Sequence, residues 1–304
     1  MNVQTVNLIA IVGPTASGKT RLAARLARET GSEVISADSR QVYRGLDIGS
    51  GKDLGDYVVD GVPVPYHLID VADPREEFSV FSYQQAFRDC FAELSQRGIV
   101  PILAGGTGLY IEAVLRDYRM EEVPENPELR HELRDRSEEE LADLLRSANP
   151  RLHNTSDLGD RARILRAIEI ARHRADVPAE PGPMLRPLVL GVRWERAVLR
   201  RRISDRLEAR LAGGLLEEVR QLHESGVSWE RLHELGLEYR YIGLHLKGDL
   251  LYDEMVGTLK TRIGQFAKRQ ETWFRGMERR GVPIRWIEGD DYETLRSLVK
   301  AAAP

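Results

Sequence analysis

One segment near the N-terminus dictates how this chain begins to fold. Gly13-Pro14-Thr15-Ala16-Ser17-Gly18-Lys19-Thr20 stands between the apolar run Val6 to Val12 and the amphipathic stretch Arg21 to Arg28. A glycine-rich turn at that spacing, fed by a strand and emptying into a helix, is a phosphate-binding loop. Gly13 and Gly18 let the backbone bend so that successive N–H groups face inward, Lys19 reaches the outer phosphates, and Thr20 is placed to ligate Mg²⁺. The positive end of the following helix adds to the attraction. The expected ligand is a phosphate or diphosphate met by Gly13, Thr15, Ala16, Ser17, Gly18, Lys19 and Thr20, and from the loop alone ATP is the first guess.

Short apolar runs at Val6 to Val12, Glu33 to Ala37 and Val100 to Ala104, with a helical stretch from Tyr83 to Arg97 before the last, predict an α/β fold. Its core is a parallel sheet with crossover helices, and ligands gather at the carboxyl ends of such strands. After the first strand comes the phosphate loop. After the second comes Asp38-Ser39-Arg40-Gln41-Val42-Tyr43-Arg44, and after the third Gly105-Gly106-Thr107-Gly108-Leu109-Tyr110. A phosphate-loop ATPase would carry an aspartate at the end of a later strand to organise the Mg²⁺ water shell, but here the third strand runs into Gly105-Gly106. That weakens the hydrolase and kinase readings and leaves Asp38 as the leading acid, with a turn or N-cap aspartate as its bland alternative.

At 304 residues, 42% hydrophobic and 30% charged, the chain can bury one or two cores. Its single cysteine, Cys90, excludes an internal disulfide framework and a cysteine zinc cluster. With no leader and no membrane-length apolar stretch, a cytoplasmic protein with no membrane partner is expected, and a monomer is compatible with everything in the sequence. The net charge of −4 conceals a segregation: Arg186 to Arg210 carries eight arginines against three acids, and Lys260 to Arg285 eight basic residues against two. Polyanion binding, if present, belongs to the C-terminal half.

Five blocks together carry a family resemblance: Gly13 to Thr20; Ser36 to Gly49; Gly105 to Tyr110; Arg163-Ile164-Leu165-Arg166-Ala167-Ile168-Glu169; and Phe266-Ala267-Lys268-Arg269-Gln270-Glu271-Thr272-Trp273-Phe274-Arg275. In order and content they resemble the motifs of tRNA dimethylallyltransferases. The resemblance implies transfer of a dimethylallyl group from dimethylallyl diphosphate to N6 of an adenosine beside the anticodon, with the tRNA anticodon stem-loop as partner, Mg²⁺ as cofactor, and the phosphate loop holding a leaving group. On that basis Asp38 is the general base, Thr107 sits near the leaving group, and Ser39, Arg40 and Gln41 contact the extruded nucleotide. Thr107 also reads as a turn threonine capping the next helix.

Arg202, Arg206 and Arg210 recur every four residues on one helical face, and Arg206 is the one expected to reach the diphosphate. A solvated stripe beside Asp205 and Glu208 is the alternative for the other two. Arg163, Arg166, Tyr239 and Arg240 are the remaining tRNA-contact candidates. The acidic, leucine-rich segment Glu121 to Ser156 resembles the family's helical insertion, giving a core of 1–120 and 160–304 and an insertion domain of 121–159. Where the family has a glycine before the tyrosine this chain has Glu238, a departure that predicts an altered contact there. An adenine-nucleotide prenyltransferase, a phosphate-loop small-molecule kinase and a non-catalytic tRNA-binding protein are the rival readings; the first needs little of the basic C-terminal half.

Overall fold

The computed structural model describes residues 6–118, 123–148, 161–173 and 182–302. In chain order it begins β1 (Leu8–Val12), α1 (Lys19–Thr30), β2 (Val34–Ser36), the hairpin β3 (Val58–Val59) and β4 (Val62–Pro63), β5 (Tyr66–His67), α2 (Val80–Gln96), β6 (Ile102–Gly105) and α3 (Gly108–Leu115). There follow α4 (Pro127–Glu132), α5 (Glu138–Ala148) and α6 (Arg161–Arg172). The chain then returns through β7 (Pro187–Arg193), α7 (Arg196–Ala212), α8 (Leu215–Glu224), α9 (Trp229–Glu234), α10 (Leu237–Leu246), α11 (Tyr252–Arg279), β8 (Ile284–Glu288) and α12 (Tyr292–Ala302).

Among the described residues the main sheet runs β5-β2-β6-β1-β7-β8 with every pairing parallel. All five residues of β1 are buried, as a central strand covered on both faces requires. Leu8, Ala10 and Val12 face one core with Tyr83, Phe87 and Leu94 of α2, Ile111 of α3 and Phe274 of α11. Ile9 and Ile11 face the other, with Leu22 and Leu26 of α1 and Leu295 of α12. The α/β expectation and its three strands hold. The edge strands β5 and β8 were not foreseen; at two residues β5 is too short to show a period.

A third core joins α7, α8, α10 and α11 to the chain just past β2, through Leu199, Ile203, Leu207, Val219, Ile242 and Leu259 packed with Val42, Tyr43 and Leu46. It fixes the C-terminal helices against the phosphate-loop sheet. No described helix is long and apolar enough to cross a membrane.

The second compact unit runs from Arg119 to Pro181, past the 121–159 expected for the insertion. The reason is α6: Ile164 and Ile168 pack on Leu129, Leu133, Leu141 and Leu145, so this helix belongs with α4 and α5. Within it Glu169, 3% exposed, accepts from Arg130 and Arg166 and from the Asn126 N–H. The boundary positions 120 and 160 lie outside the described residues, as do residues 121–122 and 149–159 of the expected insertion.

Candidate active site

The three segments that leave β1, β2 and β6 meet at one sheet edge. The Thr107 N–H donates to the Ala37 carbonyl at 3.1 Å, and Thr107 Oγ1 accepts from the Ser39 N–H at 2.9 Å while donating to Ser39 Oγ at 3.3 Å. Thr107 precedes α3 but makes no side-chain cap on it; its hydroxyl is turned to the Asp38–Ser39 turn instead. Asp38 Oδ1 accepts from the Arg40 N–H at 3.0 Å, the short Asx turn of the bland reading. That turn also positions the carboxylate, whose charge bears on Lys19.

Gly105 shows why no carboxylate ends β6. A Cβ there would lie 2.1 Å from the Ala37 carbonyl oxygen, a distance no side chain tolerates, so an aspartate has no room at the last position of this strand.

The phosphate loop itself is braced by residues far along the chain. Gln270 of α11, 7% exposed, accepts from the Thr15 N–H at 2.8 Å and donates to the Gly106 carbonyl at 2.8 Å, tying the first and third segments together. The Trp194 indole N–H donates to Ser17 O at 2.9 Å, and Arg202, lying over the Trp194 ring, donates through Nε to Ala16 O at 2.8 Å. Gln270→Leu would leave a loop N–H and a buried carbonyl unpaired, at a cost of about 2 kcal/mol. A fall in kcat/KM of at least ~10-fold, set beside the melting temperature, is the expected signature of a misplaced loop.

Lys19, enclosed by the loop and with Arg206 and Arg210 nearby, has its pKa lowered to about 8. Desolvation is the main cause, partly opposed by Asp38 and Asp53. An ammonium held this reluctantly gains most when phosphate oxygens reach it. Thr20 stands half-buried in the first turn of α1.

Opposite the loop is α7. Arg202, Arg206 and Arg210 do not form a solvated stripe: Glu208 is occupied by Lys260 and Ser204, and these three guanidinium groups turn inward. Arg206 donates to Thr15 Oγ1 at 3.4 Å, to Gly51 O at 3.3 Å and to Asp53. Arg210 donates to Gly49 O at 3.5 Å. The segment from Leu46 to Asp53 therefore forms a wall of the site, which the sequence did not reveal because its partners lie some 160 residues away.

Two charged side chains hold that wall. Glu218 accepts from the N–H groups of Asp47, Ile48 and Gly49 at 2.6–3.0 Å and from the Tyr239 hydroxyl at 2.9 Å. Lys52, 1% exposed, donates to Tyr43 O at 2.9 Å, Asp47 at 2.6 Å and Asp70. Glu218→Ala strips the acceptor from three backbone donors and should cost about 2 kcal/mol, read as a lower denaturant midpoint at unchanged slope.

The expected tRNA contacts divide by position. Ser39 and Arg40 are half-buried at the mouth of the site. Gln41 is 7% exposed, its amide accepting from Ser36 Oγ and donating to Gly51 O. Tyr239 is 1% exposed with its hydroxyl spent on Glu218. Both side chains are spent on the loop from Leu46 to Asp53 and on Glu218 that holds it. Arg240 donates to His233 O at 2.9 Å. Arg163 and Arg166 belong to the second unit, where Arg166 donates to Val123 O and Glu169. Of the aromatic pair after Gln270, Phe274 is fully buried and Trp273 packs at the edge of the same core.

The IPP transferase family model matches residues 41–277, and the isopentenyl transferase model residues 6–60. The chain is 58% identical to tRNA dimethylallyltransferase 1 of Syntrophus aciditrophicus over 97% of each chain, and 50% identical to tRNA dimethylallyltransferase 2 of Bacteroides fragilis over 95% of this chain and 94% of that one. Among solved structures, the tRNA isopentenylpyrophosphate transferase of Bacillus halodurans is similar at a TM-score of 0.69 and 30% identity, with 97% of each chain covered. A eukaryotic dimethylallyltransferase acting on tRNA shares the fold at a TM-score of 0.77 and 23% identity, over 99% of this chain and 81% of that one. With its phosphate loop, its Asp38–Thr107 turn and matches of this extent, the chain belongs to the tRNA dimethylallyltransferase family.

Proposed function

We propose that this chain transfers a dimethylallyl group from dimethylallyl diphosphate to the exocyclic N6 of an adenosine beside the anticodon of tRNA. The observation that carries the reading is the convergence of Asp38, Thr107 and Lys19 at one sheet edge. A carboxylate, a hydroxyl and an ammonium at one edge are the groups that a departing diphosphate and an attacking amine call for, which supports the reading.

The phosphate loop, Lys19 and Arg206 hold the diphosphate. As the bond from the allylic carbon to the bridging oxygen breaks, its electron pair leaves with the diphosphate, and fixed donors stabilise the growing charge. N6 bonds to that carbon and gives its proton to Asp38, which also orients the base edge. Thr107, its Oγ1–H directed only weakly at Ser39, turns that donor toward the bridging oxygen. A base already single-stranded in a loop is extruded at lower cost than one in a duplex, and Ser39 and Arg40 are the side chains at hand to receive it.

The residues present fit a Mg²⁺ carried in on the diphosphate. No group of three His, Cys, Asp or Glu side chains poised to hold a metal ion occurs among the described residues, and a phosphate-borne Mg²⁺ keeps most of its water and needs one protein oxygen, which Thr20 can supply. When bound, it would neutralise charge on the departing diphosphate. The cytoplasm is the compartment where such a reaction meets its tRNA.

Purified protein incubated with labelled dimethylallyl diphosphate and either unmodified tRNA or AMP tests the proposal. Label is expected in tRNA. Label in AMP alone would make the protein a nucleotide prenyltransferase, and γ-phosphate release from ATP with no prenyl transfer would make it a kinase or ATPase.

A further inference from the structure

Arg210 and Glu238 form a long, largely enclosed ion pair at the edge of this site, in a position where the family resemblance leads one to expect a glycine in place of the acid. The Arg210 side chain is 12% exposed and that of Glu238 17%. Arg210 Nη1 lies 3.9 Å from Glu238 Oε1 and reaches Gly49 O at 3.5 Å. Its Nε and Nη2 are buried with no hydrogen-bond partner. An arginine is left in that condition at a cost, since each buried, unpaired donor forfeits its solvation.

Nη2 is aimed in an informative direction. A Cβ on Gly51 would meet Arg210 Nη2 at 1.6 Å and Arg206 Nη2 at 2.3 Å, so the two guanidinium groups converge over the same glycine, which takes the left-handed conformation at φ +67°. Like charges brought this close repel, and an anion between them relieves the repulsion. In the structure the nearest is Asp53: its Oδ2 accepts from Arg206 Nη2 and stands 3.8 Å from Arg210 Nη2. The Asp53 side chain is 44% exposed and sits on a residue at φ +43°. It is a half-exposed counter-ion held closely by Arg206 and only distantly by Arg210, in a cleft built from two forks. Burial and the neighbouring Arg206 hold Arg210 below the usual guanidinium range, while burial lifts Glu238 above the usual carboxylate range despite Arg210.

We infer that Arg210 is a second phosphate-binding arginine, paired with Arg206 over Gly51, and that Glu238 is the acid that keeps it aimed there. A tetrahedral phosphate offers enough oxygens to satisfy both Nη2 groups and the idle Nε, which one Asp53 carboxylate does not. The phosphate that fits is either the outer group of the donor's diphosphate or a backbone phosphate of the acceptor RNA. Asp53 swings out as it enters. This assignment rests on the prenyl-transfer reading, which supplies both phosphates.

The test uses the full-length protein and the double variant Arg210→Met with Glu238→Gln, which removes both charges together and keeps the volumes close. Binding of inorganic diphosphate without tRNA, and of unmodified tRNA without diphosphate, is measured for the parent and the variant, with melting temperatures alongside. A loss of at least ~10-fold in diphosphate affinity, with tRNA affinity unchanged, assigns the site to the donor. The same loss for tRNA alone, with a shallower dependence on salt, assigns it to an RNA phosphate. A variant that melts near the parent and binds both ligands as tightly overturns the inference and makes the pair a structural one. Glu238→Gln alone keeps the donors of Arg210 but removes the acid that aims them, so it should lose a few-fold in affinity for the same phosphate; binding as tight as the parent's would overturn the aiming role of Glu238. A parent protein that transfers no dimethylallyl group yet shows these binding shifts would sink the proposed reaction and leave the phosphate site standing.

Discussion

Asp38→Asn should lower kcat by about 10³-fold while leaving the affinities for donor and tRNA within a few-fold of the parent. Asparagine keeps a side-chain oxygen to accept the Arg40 N–H that Asp38 Oδ1 now accepts at 3.0 Å. The turn that carries Ser39, and through it the 2.9 Å contact to Thr107, therefore survives. What disappears is the capacity to accept a proton from an amine that is a poor nucleophile until it loses one. Single-turnover measurement with saturating donor and tRNA isolates that step. A drop of only a few-fold would move the base function to another group. A parallel loss of tRNA affinity would mean that Asp38 chiefly positions the adenine.

Lys19→Met should cost about 10²–10³-fold in kcat/KM for the donor, the magnitude associated with deleting one donor to a departing oxyanion. The unmodified lysine makes a second, independent prediction. Free Lys19 has a pKa of about 8, chiefly through desolvation, whereas Lys19 against phosphate oxygens holds its proton to higher pH. The ligand thus binds the protonated form. Below pH 8 the proton is already present and affinity is flat in this group; above it, binding must take up a proton, and diphosphate affinity should fall toward tenfold per pH unit. Calorimetry at pH 9 in buffers of different ionisation enthalpy should detect that uptake, and the methionine variant should not show it. An affinity level from pH 7.5 to 9.5 would place the Lys19 pKa elsewhere.

The parts of the site written in local sequence were legible. Gly13 to Thr20 announced a strand, a loop and a helix, and position after a strand was enough to bring Asp38 and Thr107 to the same edge. What the sequence hid is long-range. Nothing local marks Gly51 as the floor beneath two guanidinium groups, because those groups arrive from α7. Tyr239 looked like a surface contact beside a basic residue. Its hydroxyl is turned inward to Glu218, two helices earlier, which local sequence does not show. Arg202 and Arg210 could not be told from a solvated stripe, because an i, i+4 spacing fixes a face and not what the face meets. The end of the insertion was misread for a similar reason: the apolar positions of α6 match either core by pattern, and only Ile164 and Ile168 meeting α4 and α5 decides between them.

The bracing of the phosphate loop bears on how the protein is born. The loop is made before every one of its braces: Ser17 waits for Trp194, Ala16 for Arg202, Thr15 for both Arg206 and Gln270, and the strand that feeds the loop pairs with one beginning at Pro187. A nascent or C-terminally truncated chain therefore carries the whole motif without a finished donor site. Premature release or clipping before α11 is complete should yield polypeptides in which the signature can be read but the diphosphate is not held.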